Sequence, residues 1–153
     1  MGDDGFGPAV IEELEAHCIL PDTVAAIDVG TGIREYLFDY LLAPESRPER
    51  LIILDAVDLP GRSPGEIFPL DISSIPARKI HDFSLHQFPS INLLLELQEH
   101  TGIKVNVLAA QVGWVPSEIS PGMSTAMAAA VRPACEKILR ILSDEGETLG
   151  DRL

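Results

Sequence analysis

The sequence predicts an α/β fold of three layers, a mostly parallel twisted sheet with helices on both faces, on three observations. Apolar runs of strand length alternate with stretches of helical period. The run Leu51–Val57 is apolar throughout except for Asp55, as suits a strand covered on both faces. Gly- and Pro-bearing turns separate the pieces, without an internal repeat, low-complexity stretch or linker. A chain of 153 residues then makes one domain, 1–153, large enough to bury its own core.

The elements follow in chain order. Pro8–His17 carries Val10, Ile11 and Leu14 at helical spacing among the acids Glu12, Glu13 and Glu15, with Pro8 in a favourable first-turn position. Thr23–Val29 (TVAAIDV) reads as a short β-rich run, and Gly30-Thr31-Gly32 turns into an amphipathic helix over Ile33–Leu42. Ala43–Glu49, with Pro44 and Pro48, is a loop. Leu51–Val57 is a strand, and Glu66–Leu70 is another after the turn Leu59–Gly65. Pro89 opens a helix that runs to about Glu99, where Thr101-Gly102 closes it. Lys104–Gln111 is the last strand. Met123–Leu142 is a long helical stretch that Pro133 should kink or restart, and the polar tail from Ser143 should fray. The turn Gly2–Gly7 has no strand in front of it, although a β-α-β unit wants about five apolar residues there. A sheet lacking that member leaves a strand edge unpaired.

Charge narrows the partners. Eleven basic against 24 acidic residues give −13, a surface that repels phosphate backbones and anionic lipid, so neither nucleic acid nor membrane is expected to bind. No apolar run approaches the roughly 18 residues of a membrane span. The start is acidic, with no basic stretch leading into an apolar one, so no signal peptide is expected and the location is read as cytoplasmic. Cys18 and Cys135 are isolated and read as reduced, buried thiols. Cys18 with His17 makes a poor nucleophile pair, because neighbours on a helix point to different faces.

Three residues carry the candidate chemistry: Asp4 in the Gly-rich opening turn, Asp55 in the apolar strand, and His86 before the helix of residues 89–99. In α/β sheets functional groups gather beyond the carboxyl ends of the strands, an edge all three can reach. Two carboxylates and an imidazole suit a borderline first-row dication such as Ni, Zn, Mn or Fe. Alternatively a carboxylate there acts as general base toward water. Each has a plainer reading. Asp4 can accept backbone N–H bonds at the start of the first helix, and Asp3 reads more strongly still as a cap or turn residue. Asp55 can be a structural hydrogen-bond acceptor, although an unpaired acid in an apolar strand costs several kcal/mol. Asp58 belongs to the following turn and is expected in solvent. His81 competes with His86, Ser84 lacks a G-x-S-x-G elbow, and His17 and His100 fall on helix faces or ends. Gly30-Thr31-Gly32 is too short for a dinucleotide fingerprint, and no P-loop is present.

In this order, Gly2-Asp3-Asp4-Gly5-Phe6-Gly7-Pro8, Asp28-Val29-Gly30-Thr31-Gly32, Ile53-Leu54-Asp55-Ala56-Val57-Asp58 and Ser84-Leu85-His86 resemble the hydrogenase maturation proteases. Gln111-Val112-Gly113-Trp114 through Gly122-Met123-Ser124, with the Pro-containing helix behind it, is similar to that family's closing segment. These endopeptidases trim the large subunit of nickel–iron hydrogenases. The resemblance spans Gly2 to about Leu142 and looks closest to the branch serving coenzyme F420-reducing hydrogenase. It implies an aspartic-type endopeptidase that removes the C-terminal extension of a large-subunit precursor after nickel insertion. It implies that Asp4, Asp55 and His86 contact the nickel held by that precursor, with no permanent cofactor, and that Asp4 or Asp55 activates the water. The expected partner is the precursor, and the expected state is a monomer. A noncatalytic chaperone or binding module for the immature subunit is the alternative. Family members carry a strand and a Gly-Asn turn ahead of the Asp-Asp-Gly motif. The expectation is therefore that the family's first strand is missing here, through a start downstream of the true one or a truncated form.

Overall fold

The computed structural model describes residues 2–74, 91–113 and 122–150. A 3-10 turn over Gly2–Gly5 runs straight into helix α1 (Phe6–His17), and helix α2 (Ile33–Leu42) follows. Strand β1 (Arg50–Val57), strand β2 (Ile67–Pro69), helix α3 (Ile91–His100), strand β3 (Lys104–Gln111) and helix α4 (Thr125–Gly150) complete the order. The bounds of α2 and β3 coincide with those the sequence pattern predicts. Pro89, the expected opening of α3, lies outside the described residues, while Gly102 closes that helix at φ 72°.

The sheet has the order β1-β3-β2. β1 and β3 run parallel, from Arg50 opposite Lys104 to Val57 opposite Gln111. β2 runs antiparallel to β3, with Phe68 opposite Ala109, so the sheet is mixed, with its parallel pair at one edge and a short antiparallel member at the other. Alternation along the strands divides the core between two helix layers. Ile52, Leu54, Ala56, Leu108 and Ala110 pack with Phe6, Val10 and Leu14 of α1 and with Met127, Ala130, Ala134 and Ile138 of α4. Leu51, Ile53, Val105 and Val107 pack on the opposite face with Leu37 of α2 and with Leu94 and Leu97 of α3. Helices thus cover both faces, as the three-layer expectation requires. Fully burying each large side chain contributes about 1.5–3 kcal/mol, so these two stripes hold the layers together. Among the described residues no helix is long and apolar enough to cross a membrane.

Three local expectations need correction. Thr23–Val29 forms no strand: it starts in a turn and lies outside any ladder. Its β-rich composition supplies propensity, whereas a strand also needs a hydrogen-bonding neighbour. Among the described residues β1 is paired on one side alone, by β3. Pro133 does not restart α4, which continues through it. Pro133 and Ala129 both lie on the exposed side, where the carbonyl that loses its N–H partner reaches water, while the buried stripe Met127, Ala130, Ala134, Ile138 keeps its spacing. The tail from Ser143 is helical to Gly150 rather than frayed.

Candidate functional site

The site is assembled at the carboxyl end of β1. Gly2 adopts φ 56°, a left-handed conformation that glycine takes without strain, and the 3-10 turn it opens carries Asp3 and Asp4 into α1. The first turn of α1 packs on β1 one residue ahead of the second acid: a β-carbon on Gly7 would lie 3.4 Å from the Leu54 carbonyl oxygen. This close approach sets the opening turn beside Asp55. Asp4 and Asp55 are both half-buried, and both line one cleft of about 940 Å³. Every residue from Pro48 to Asp55 borders that cleft, those facing either helix layer alike, so it follows the edge of β1 away from β3. Ile11 and Leu14 of α1, the segment around Ala25 and Ile27, and Tyr36 and Tyr40 of α2 form other walls.

Asp55 sits opposite Ala109 in the parallel pair, and its Oδ1 accepts the amide of Ala56 at 2.9 Å. That bond fixes the side chain against its own backbone. The turn Asp28–Gly32 also forms locally: Asp28 Oδ1 accepts the Gly30 amide at 3.0 Å, the Val29 carbonyl accepts the Gly32 amide at 2.9 Å, and Gly30 lies at φ 52°. It borders the same cleft.

Two polar residues outside the predicted site set are buried at this edge. Asp3 lies in the opening turn, in line with its reading as a cap or turn residue, and is 0% exposed. Its Oδ2 accepts the Gly113 amide at 2.7 Å and the Ser124 hydroxyl at 3.0 Å, and its Oδ1 accepts the Ser124 amide at 2.7 Å. Gln111, the last residue of β3, accepts the Leu59 amide on Oε1 at 3.0 Å and donates Nε2 to Asp58 Oδ1 at 3.0 Å. Asp58 is exposed, as expected, yet is tied to the sheet through that bond. The sequence signal for Gln111 is an amide closing the apolar run Val107–Ala110; Asp3 offers none beyond its place beside Asp4.

Of the three predicted site residues, Asp4 and Asp55 both line the cleft. His86 lies outside the described residues, as do His81 and Ser84. Among the described residues no group of three His, Cys, Asp or Glu side chains could hold a metal ion. Two carboxylates can polarise water, accept a proton, or supply oxygen ligands to a cation brought by another molecule. Neither cysteine is among the residues that line the cleft. Both are free, and burial, helped by Cys18 and Glu13, pushes the Cys135 thiol up to about 11, so it stays protonated near neutral pH. His17 turns to Glu13, at 3.2 Å, on the exposed side of α1, and His100 ends α3 in solvent.

Known proteins resemble this chain in sequence and fold. Residues 8–141 match the family model of the hydrogenase maturation proteases, a stretch that holds positions 55 and 86 and starts just after Asp4. Hydrogenase 2 maturation protease of Escherichia coli is 32% identical over 148 residues, 95% of this chain and 86% of that protein. Coenzyme F420 hydrogenase subunit delta of Methanothermobacter thermautotrophicus is 31% identical over 147 residues, 94% of this chain and 85% of that protein. Among solved structures, the hydrogenase maturating endopeptidase HybD from E. coli superposes with a TM-score of 0.73 at 26% identity, covering 95% of this chain and 87% of that one.

Proposed function

The chain belongs to the hydrogenase maturation protease family, and on that footing we propose that it is the endopeptidase that removes the C-terminal extension of a nickel–iron hydrogenase large-subunit precursor. In this reading the precursor arrives with its nickel in place, and the nickel is a feature of the substrate. Asp4 and Asp55 contact it together with His86, and the cleavage waits on that contact. The observation that supports the reading is that Asp4, in the opening turn, and Asp55, near the carboxyl end of the edge strand β1, line one cleft.

The chemistry follows from two carboxylates at a half-buried edge. One takes a proton from a water molecule, whose oxygen adds to the scissile carbonyl carbon; the C–N bond then breaks and the leaving nitrogen takes up the proton. A general base of this kind contributes typically about 10²–10⁴ in rate. Asp55 is suited to a fixed role, because its bond to the Ala56 amide holds the carboxylate in one orientation. The net charge of −13 suits a positively charged face on the precursor.

The test is a processing assay on nickel-loaded precursor, read as the gel shift of the large subunit. Wild type is expected to release the extension, while Asp4→Asn, Asp55→Asn and His86→Ala lose at least about a hundredfold in rate. Cleavage at wild-type rate by Asp55→Asn and His86→Ala would mean that the site is elsewhere. Binding of the precursor by wild type with no shift, nickel present, would favour a noncatalytic chaperone.

A further inference from the structure

We infer that Asp3 is a positioning residue of this site, holding Asp4 in register with the carboxyl edge of the sheet; the inference rests on the peptidase reading above. Asp3 and Gln111 are the two buried polar or charged residues among the described residues, and Asp3 is fully buried. Burying a carboxylate is costly unless donors surround it, so its placement calls for a specific return. Both residues make the bonds described above to segments at one edge of the sheet, the edge that bears Asp55. Gln111 holds the turn after β1, at Asp58 and Leu59. Asp3 holds Gly113, two residues past β3, and Ser124, the residue before α4.

Through Asp3 the opening turn is tied to two segments, the one after β3 and the one before α4. Ser124 passes the connection on, since its hydroxyl donates to Asp3 and accepts the Met127 amide at 3.3 Å in the first turn of α4. The carboxylate therefore also meets the positive end of a 26-residue helix. Successive residues of a 3-10 turn lie about 120° apart, so fixing Asp3 inward directs Asp4 to a different side. That side is the cleft. Asp3 is not among the residues that line the cleft. Its contribution is the orientation of its neighbour, and a misplacement of about 1 Å at a reacting group costs on the order of a hundredfold.

The test uses Asp3→Asn, which keeps the size of the side chain but turns its amide group against a backbone N–H, at Gly113 or at Ser124. Leu97→Ala serves as the control, a core change in the opposite helix layer, with both variants assayed where each is fully folded by circular dichroism. On nickel-loaded precursor, Asp3→Asn is expected to lower kcat about ten- to hundredfold with KM within about twofold, and Leu97→Ala to leave both unchanged. Added to Asp4→Asn, the Asp3→Asn change is expected to produce no further loss, because its effect passes through Asp4. Amide exchange at Gly113 and Ser124 is expected to rise at least about tenfold in Asp3→Asn while α3 keeps its protection. A wild-type kcat in Asp3→Asn, a loss equal to that of Leu97→Ala, or full additivity with Asp4→Asn overturns the inference and leaves the peptidase reading intact. A wild-type chain that never cleaves overturns both.

Discussion

Gly65 and Gly61 make a paired test of how the loop after β1 is seated. Both adopt left-handed backbone, at φ 79° and 80° respectively, so alanine at either position costs about 1–2 kcal/mol from conformation alone. Their surroundings differ. A β-carbon at Gly61 meets nothing within 4 Å, whereas one at Gly65 would sit 2.5 Å from the Ala126 carbonyl oxygen and 2.9 Å from its carbon. An ordinary carbon–oxygen contact is about 3.3 Å or more, so the loop and the first turn of α4 must separate by about 0.8 Å. Forced repacking of this size costs about 1–3 kcal/mol, and both opposing atoms are backbone with no side chain able to swing aside. Gly65→Ala should therefore lose about 2–5 kcal/mol in all, against about 1–2 kcal/mol for Gly61→Ala. At about 2–4 °C per kcal/mol, Gly65→Ala should melt about 4–20 °C below wild type. Urea denaturation of the three proteins, read by circular dichroism with equal m-values, measures the difference. Equal losses at positions 61 and 65 would refute the close approach of this loop to α4. The Gly65 amide also donates to the Gln111 carbonyl at 2.8 Å, so the same displacement would loosen the edge on which Asp58 is held.

Other outcomes follow from the core and the thiols. Leu97→Ala, at a fully buried position of α3, should cost about 2–5 kcal/mol in the same urea titration, and a loss under 1 kcal/mol would contradict its packing against β3 and α2. Cys18 should react with iodoacetamide at pH 8 well before Cys135, since one thiol is half-buried and the other is buried and shifted up; equal labelling rates by mass spectrometry would count against this. Raising the Cys135 thiol from 9.0 to about 11 means that the folded state holds this proton more tightly than the unfolded chain does. That contribution is whole below pH 9 and is lost as pH rises through about 11. Tyr40, pushed up by burial and by Tyr36 and Asp39, acts in the same direction. Cys135→Ala should flatten the alkaline fall in unfolding free energy, and an unchanged slope would reject the shift.

What could be read in the sequence was whatever depends on local period. β3 and α2 lie where the pattern puts them because the alternation of Val105, Val107 and Ala109 and the spacing of Ile33, Leu37 and Leu41 each address one packed face. Thr23–Val29 failed because strand formation is decided by a partner across the ladder, which composition does not report. Pro133 misled in the opposite sense. Its usual cost assumes that a backbone carbonyl is left buried, and here the exposed side of α4 absorbs it while tertiary packing keeps the helix whole.

The site divides along the same line. An acid inside an apolar strand is conspicuous, so Asp55 stood out, and the Gly-rich turn marked Asp4. Which of two adjacent acids faces the cleft could not be read in the same way. Asp3 and Asp4 have the same side chain, and either order satisfies a Gly-x-x-Gly turn. Their roles separate only once Gly2 takes its positive φ and the 3-10 turn rotates the pair, which carries Asp3 to donors at positions 113 and 124. Those partners lie 110 and 121 residues away, beyond any local window. A carboxylate at position 3 is worth burying only if the fold gathers those donors around it, and the fold does so at the edge where Asp4 and Asp55 line the cleft. The less conspicuous acid is thereby the one that long-range structure constrains most, and the exposed order of the motif follows from its burial.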